Sequence, residues 1–379
     1  MSFRNALSQA TLKATLKATR STRLVAAVDR RSTKSWLHPL NDVAAIDDLL
    51  AQFNPLWSLD EVRARVEHIH DETADTRTFV LRPNRHWGGF AAGQHAVVTV
   101  EIDGVRQSRA YSLSSSPRNA RLISITVKRQ TGGRVSNALH EQIAVGDTLG
   151  LSAAAGQFVL PVRLPEKILL LGAGSGVTPL MSMLLELEAR AYEGDVIFVH
   201  GSRFAADAIF GKTLRALACR FPALRYMEHH SETAGRLDAA KLAALVPDYA
   251  ERTTFLCGPQ AVMDWVQNHW NAQGLNDRLS FERFGAPVSK ARAAGEPQAV
   301  TCTKSTGFSA PGAASLLVEA EAAGLKPKYG CRSGICASCT CRKVSGRVEN
   351  LLTGETSDRP DELIRICVSA ACSDLQLDL

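Results

Sequence analysis

Four cysteines constrain this chain more than any other feature. Cys331, Cys336 and Cys339 carry the spacing C-x4-C-x2-C, and Cys367 follows the run Leu363-Ile364-Arg365-Ile366 near the C-terminus. Three close thiolates and one distant thiolate form the plant-type ligand set of a [2Fe–2S] cluster. The residues between them include Ser333, Gly334 and Ser338. Such a loop lets backbone N–H groups turn toward the sulfurs, which helps to set a cluster's potential. A structural zinc site usually takes two separated pairs of ligands, and only one close group occurs here. A disulfide framework fits poorly with nine cysteines in 379 residues. Cys341 and Cys372 lie near the ligand positions and read as non-ligands, because the apolar run delivers Cys367 at a strand end.

The length predicts about two to three domains, and 45% apolar residues can supply several cores. A net charge of +6 is modest, and no nucleic-acid recognition motif accompanies it. No apolar run is long enough to span a bilayer. Cysteines grouped as ligands point to a reducing cytoplasm.

Residues 1–60 stand apart. Over residues 1–41, Arg4, Lys13, Lys17, Arg20, Arg23, Arg30, Arg31 and Lys34 are set against a single acid, Asp29, while Phe3, Leu7, Leu12 and Leu16 recur at near-helical spacing. Three readings stay open. The segment is a basic amphipathic helix on an anionic membrane surface, an organelle transit peptide, or a solvated helical arm. A second helix is expected near Asp42–Phe53, ending before Asn54-Pro55.

Residues 61–163 read as short alternating strands with turns at Asp103-Gly104 and Gly132-Gly133, the pattern of an antiparallel barrel. Within it, Arg109-Ala110-Tyr111-Ser112 places a cation, an aromatic ring and a hydroxyl where they can serve one ligand. Gly132-Gly133-Arg134-Val135-Ser136 opens a helix and makes an anion cradle. Two phosphate-capable elements in one small barrel suggest a dinucleotide flavin.

Residues 164–285 change pattern again. The buried strand Ile168–Leu171 runs into Gly172-Ala173-Gly174-Ser175-Gly176-Val177-Thr178-Pro179 and then a helix. Strand, glycine loop and helix make a pyrophosphate site, although a Thr-Pro pair replaces the third glycine of the common fingerprint. The next strand ends in Gly201-Ser202-Arg203. An arginine there can accept a 2′-phosphate, which favours NADPH over NADH. A third strand meets Cys257-Gly258-Pro259 at its carboxyl end, where parallel sheets bind ligands. Phe281-Glu282-Arg283-Phe284 closes the segment. Residues 286–297 read as a linker, and 298–379 as the cysteine-bearing domain.

Taken together, residues 62–379 resemble the ferredoxin–NADP reductase superfamily, and within it single-chain reductases with a C-terminal plant-type ferredoxin domain. The motifs that carry the resemblance occur in order: Arg109–Ser112, Gly132–Ser136, Gly172–Pro179, Cys257–Pro259 and the four cysteines. The resemblance implies an antiparallel flavin-binding barrel, a parallel α/β nucleotide domain and a β-grasp [2Fe–2S] domain. It implies that Arg109, Tyr111 and Ser112 hold the phosphate and ring of FAD, and that Gly133, Val135 and Ser136 cradle its pyrophosphate. Gly172, Gly174, Gly176 and Thr178 hold the pyridine nucleotide, with Gly258 and Pro259 beside it and Cys257 near the nicotinamide. Phe284, or Phe281, covers a flavin face. The arm and Phe53-Asn54-Pro55-Leu56-Trp57 resemble a subgroup that serves membrane fatty-acyl desaturases.

The expected activity is an NAD(P)H:acceptor electron transfer through FAD and the cluster to a separate protein. That acceptor is a desaturase or a soluble oxygenase. A redox sensor is the third class, and it would not need both a flavin barrel and a nucleotide domain. The histidines form no diiron or facial-triad grouping, and His229-His230 reads as a surface pair. Lys326, Lys328, Arg332, Arg342 and Lys343 surround the cysteine loop and predict an acidic patch on the acceptor. The expected location is cytoplasmic, with peripheral membrane contact through residues 1–60 as an option.

Overall fold

The computed structural model describes residues 43–119, 121–284, 297–329, 334 and 339–379. Its contacts divide the chain into two units, Met1–Leu59 and Asp60–Leu379. In the first, helix α1 (Val43–Phe53) stops at Asn54, as expected for a residue that precedes proline. Asp47 is buried and organises the chain after the helix. It accepts from Ser58 Oγ at 2.7 Å and from Leu59 N at 2.8 Å. Leu49, Phe53, Trp57 and Leu59 are exposed. Among the described residues no helix is long and apolar enough to cross a membrane. Residues 1–42, with the basic positions noted above, lie outside the described residues.

The second unit begins with six strands: β1 (Val62–Thr73), β2 (Thr76–Pro83), β3 (His95–Ile102), β4 (Val105–Ser112), β5 (Ile123–Lys128) and β6 (Thr148–Leu151). They pair antiparallel in the order β4-β3-β6-β1-β2-β5. Leu113, just past β4, bridges Ile125 on β5 and joins the two outer strands of the sheet. Side chains alternate in a strand, so Ala64 and Val66, Phe79 and Leu81, Ala96 and Val98, and Ile123, Ile125 and Val127 all point inward and are buried. Helix α2 (Arg134–Glu141) adds Val135, Ala138 and Leu139 to that core.

Next come β7 (Lys167–Ala173), α3 (Val177–Ala189), β8 (Asp195–Ser202), α4 (Gly211–Arg220), β9 (Leu224–His230), α5 (Ser231–Ala234), α6 (Ala239–Leu245), β10 (Thr253–Gly258), α7 (Gln260–Ala272) and β11 (Leu279–Arg283). The strands form a parallel sheet, β11-β10-β7-β8-β9. Both faces are covered, so β7 is apolar without interruption. Ile168 and Leu170 join one core, Leu169 and Leu171 the other. Strand order reverses between β7 and β10, which places a crevice at their carboxyl ends. At the opposite ends, Arg252 is fully buried and bonds Asp248 and Asp195. The guanidinium holds the Asp248 carboxyl at about 2. One sequence reading needs correction here. His229 is buried and bonded to Gly235 O at 2.8 Å, because alternate residues of β9 face the sheet's covering layer. It forms no surface pair with His230.

The C-terminal part holds β12 (Gln298–Cys302), β13 (Phe308–Ala310), α8 (Leu316–Ala322), β14 (Thr340–Ser345), β15 (Val348–Asn350), β16 (Thr356–Ser357), β17 (Glu362–Arg365), β18 (Ser369–Ala371) and β19 (Leu375–Leu377). One sheet runs β13-β12-β19-β14-β17 and a smaller one β16-β15-β18. Ser315 caps α8 by accepting from Val318 N, and Leu316, Leu317 and Ala320 pack into the core of the sheet. Lys343, read from the sequence as a charge around the cysteine loop, is fully buried. Its Nζ donates to Gly346 O and Ser357 O at 3.0 Å and pairs with Glu362. It cannot face a partner.

Candidate functional site

The crevice at the ends of β7 and β10 opens into a cleft of about 780 Å³, within the range of small-molecule sites. The barrel contributes Arg109, Tyr111 and Ser112 from β4, and Gly133, Val135 and Ser136 from the start of α2. The nucleotide domain contributes Gly174, Ser175 and Thr178 after β7, Gly258 and Pro259 after β10, and Phe284 after β11. Tyr329 reaches the same cleft from the cysteine-bearing domain. Residues some 220 positions apart are thus brought to one place, as the numbering of Arg109 and Tyr329 shows.

Neither helix that opens on the cleft has a side-chain cap. The first-turn N–H groups of α2 are therefore left for an anionic ligand, whereas Val177 N at the start of α3 already donates to Gly174 O and Ser175 O in the turn before it. Thr178 Oγ1 donates to Ser175 O at 2.9 Å and ties the loop to the helix. Ser136 Oγ accepts from Gln130 N at 3.2 Å and closes the barrel's turn. Burial pushes the Tyr111 phenol up and keeps it neutral beside Arg109.

Other expected site residues stand behind the cleft rather than in its lining. A Cβ on Gly172 would lie 2.9 Å from Leu180 Cδ1 and Val177 Cγ1, so this glycine lets α3 pack on β7. A Cβ on Gly176 would lie 2.2 Å from Cys257 O. Cys257 itself is fully buried, and burial followed by the Glu282 carboxylate pushes its thiol well up. Arg203 is exposed at the end of β8, lies over the Phe204 ring and pairs with Glu232 at 3.4 Å. Phe281 is exposed and does not line the cleft.

His95, Glu282 and Tyr329 are among the cleft residues that the sequence did not assign to the site. His95 is the register partner of Ser112, a pairing that no local motif announces. Glu282 lies within Phe281-Glu282-Arg283-Phe284, and nothing local marks its carboxylate. Tyr329 stands two residues before Cys331, which was the available signal. His95 Nε2, Ser112 Oγ and Glu282 Oε2 are buried polar atoms without a hydrogen-bond partner, and all three residues line the cleft. Such atoms are costly unless a ligand meets them. Together with Arg109, Lys128 and Arg134 around the rim, they fit a ring with polar edges that carries phosphates.

Of the cluster thiols, Cys331 and Cys336 lie outside the described residues. Cys339 and Cys367 are both buried in the C-terminal core. Ile366 N donates to Cys339 O at 3.3 Å, and Arg365 Nη1 donates to Gly334 O. These bonds bring the distant cysteine's strand against the loop, the arrangement that a three-plus-one thiolate set requires. Cys341 lies on β14, its Sγ directed to Arg342 O at 3.6 Å, and burial pushes its thiol up to about 11. Among the described residues no group of three or more His, Cys, Asp or Glu side chains forms a metal site.

Comparison with known proteins agrees with this geometry. Residues 63–160 match the family model of an oxidoreductase FAD-binding domain, 170–268 that of an oxidoreductase NAD-binding domain, and 301–372 that of a 2Fe-2S iron-sulfur cluster binding domain. An NADPH oxidoreductase of Mycobacterium tuberculosis is 39% identical over 369 residues, 94% of this chain and 95% of that protein. A glycine betaine monooxygenase reductase subunit of Chromohalobacter salexigens is 33% identical over 362 residues, covering 86% of this chain and 98% of that one. Among solved structures, phthalate dioxygenase reductase superposes with a TM-score of 0.57 at 26% identity, over 84% of this chain and 97% of that one. The chain belongs to the ferredoxin–NADP reductase superfamily, as an oxidoreductase that passes electrons from NAD(P)H through FAD to a fused [2Fe–2S] domain.

Proposed function

We propose that this chain is the reductase component of a multicomponent oxygenase and delivers electrons to a separate protein. The observation that carries the reading is the single cleft lined by the barrel, by the loops at the strand-order reversal and by Tyr329 of the cluster domain. FAD bound there accepts an electron pair as hydride and can release electrons singly, which a pyridine nucleotide cannot do. Arg109 meets its phosphate, Tyr111 and Ser112 meet its ring, and Gly133, Val135 and Ser136 cradle the pyrophosphate. Phe284 covers a ring face. Gly174, Thr178, Gly258 and Pro259 take the nucleotide. Gly172, Gly176 and Cys257 shape that loop from behind, and Arg203 takes the 2′-phosphate of NADPH. Cys331, Cys336, Cys339 and Cys367 hold the cluster. No strong general base is needed, since the protein's task is to position the redox groups and exclude water between them. The oxygenase reading draws support from the names of the Chromohalobacter subunit and of phthalate dioxygenase reductase, each of which serves an oxygenase.

A second acceptor, a membrane-bound desaturase, would rest on the unit Met1–Leu59. Within that unit, Leu49, Phe53, Trp57 and Leu59 expose large apolar side chains.

An anaerobic NADPH titration followed by absorption tests the relay, and both flavin and cluster bands are expected to bleach. A protein lacking either band is not this reductase. Cys367→Ser is expected to lose or alter the cluster band, whereas Cys341→Ser and Cys372→Ser keep it. Flotation with anionic vesicles, with and without residues 1–59, separates the acceptors. Arm-dependent binding supports the desaturase, and no binding supports the oxygenase.

A further inference from the structure

The cleft contains a pair that its flavin and nucleotide motifs do not use. His95 begins β3 and is fixed from both sides. It stands in register with Ser112, and it exchanges backbone bonds of 3.0 and 2.9 Å with Ala155. Its ring packs on Gly156, where a Cβ would come within 3.1 Å of Nδ1. That Nδ1 stands 3.4 Å from Glu282 Oε1, with side-chain exposures of 8% and 16%. Glu282 lies on β11, so the ion pair crosses from the barrel to the nucleotide sheet. The remaining polar atoms of the pair, His95 Nε2 and Glu282 Oε2, are buried and have no hydrogen-bond partner. One buried unpaired polar atom costs about 1–3 kcal/mol, and two in one clamp call for a ligand with two polar groups.

We propose that His95 is a recognition residue for the nicotinamide carboxamide: while Nδ1 holds Glu282, Nε2–H donates to the carboxamide oxygen, and Glu282 Oε2 accepts from its NH2. This deepens the NAD(P)H reading above and rests on it. An imidazole ring with a donor on each nitrogen gives the pair one donor and one acceptor, the complement of an amide. Arg283, next to Glu282 on β11, turns its guanidinium to Asp264 and Gln267 and so does not occupy Glu282 Oε2.

The test uses the purified holoprotein with NADPH. It reads kcat, KM and the long-wavelength charge-transfer absorbance of nicotinamide stacked on flavin. His95→Leu should lower both amplitude and kcat about tenfold, with little change in KM or FAD content. His95→Gln keeps an N–H donor and should recover much of the loss. The proposal is overturned if His95→Leu keeps wild-type amplitude and kcat, or if His95→Gln behaves like His95→Leu. Should His95→Leu fail to fold, a wild-type protein that gives the same amplitude with an NADPH analogue whose carboxamide is replaced by an acetyl group overturns it as well. A wild-type protein whose flavin NADPH does not reduce overturns the reductase reading itself, an outcome distinct from all of these.

Discussion

The barrel and the nucleotide domain each open a helix onto the same cleft from a glycine turn, and they do so by different physics. At the barrel's turn, a Cβ on Gly133 would meet side-chain atoms first, Ser136 Oγ at 2.6 Å and Gln130 Cβ at 2.9 Å. At the nucleotide turn, a Cβ on Gly176 would meet main chain: Cys257 O at 2.2 Å, Cys257 C at 2.3 Å and Gly258 N at 2.5 Å. The Ser136 hydroxyl can rotate away and the Gln130 Cβ can give with its exposed turn, whereas the backbone of a central parallel strand cannot move without disturbing both layers that cover it. The nucleotide loop is thus wedged into the sheet, and the barrel's cradle is a local turn that a hydroxyl holds shut.

Gly176→Ala should break the comparison most forcefully. It should destabilise the protein by about 3 kcal/mol, seen by chemical denaturation, and raise the KM for NADPH while FAD is retained. Wild-type stability in this variant would mean that the loop is not wedged. Gly133→Ala should act on the other side of the cleft. The Ser136 hydroxyl must swing out, so about 1–2 kcal/mol of FAD affinity should be lost, read as flavin released on dialysis, with the melting temperature little changed. Gly174→Ala should be the mildest. That residue has φ +53° and open space around a Cβ, so only the left-handed backbone penalty of about 1 kcal/mol applies. A larger loss than at Gly176 would reverse the assignment of which glycine carries the packing.

Much of this architecture was legible in the chain, because local patterns carry it. The alternation of β3 and β5, the unbroken apolar run of β7 and the turn residues each follow from the period of the element they build. The cysteine spacing was legible for the same reason, since three ligands on one loop need no knowledge of the rest of the fold. Elsewhere the reading was misled where a residue's surroundings come from distant strands. Lys343 looks like a surface charge beside Arg342, but it is buried against carbonyls of Gly346 and Ser357. His229 and His230 look like a matched pair, but alternation along β9 sends one ring inward. Arg342, read as a charge around the cysteine loop, is exposed and pairs with Asp361 at 3.1 Å.

The sequence by itself determined the kinds of element, their order and the chemical classes each can bind: thiolates for a cluster, glycine-opened helices for phosphates, and an arginine and a tyrosine for a flavin. Only the tertiary structure decided which residues share the cleft. The reversal of strand order between β7 and β10 puts Gly174 and Gly258 side by side, and the register of β3 with β4 puts His95 beside Ser112. The approach of β11 to the barrel brings Glu282 to His95. Those contacts join residues far apart in the chain, and pairings of that kind are settled by packing and register rather than by any local preference.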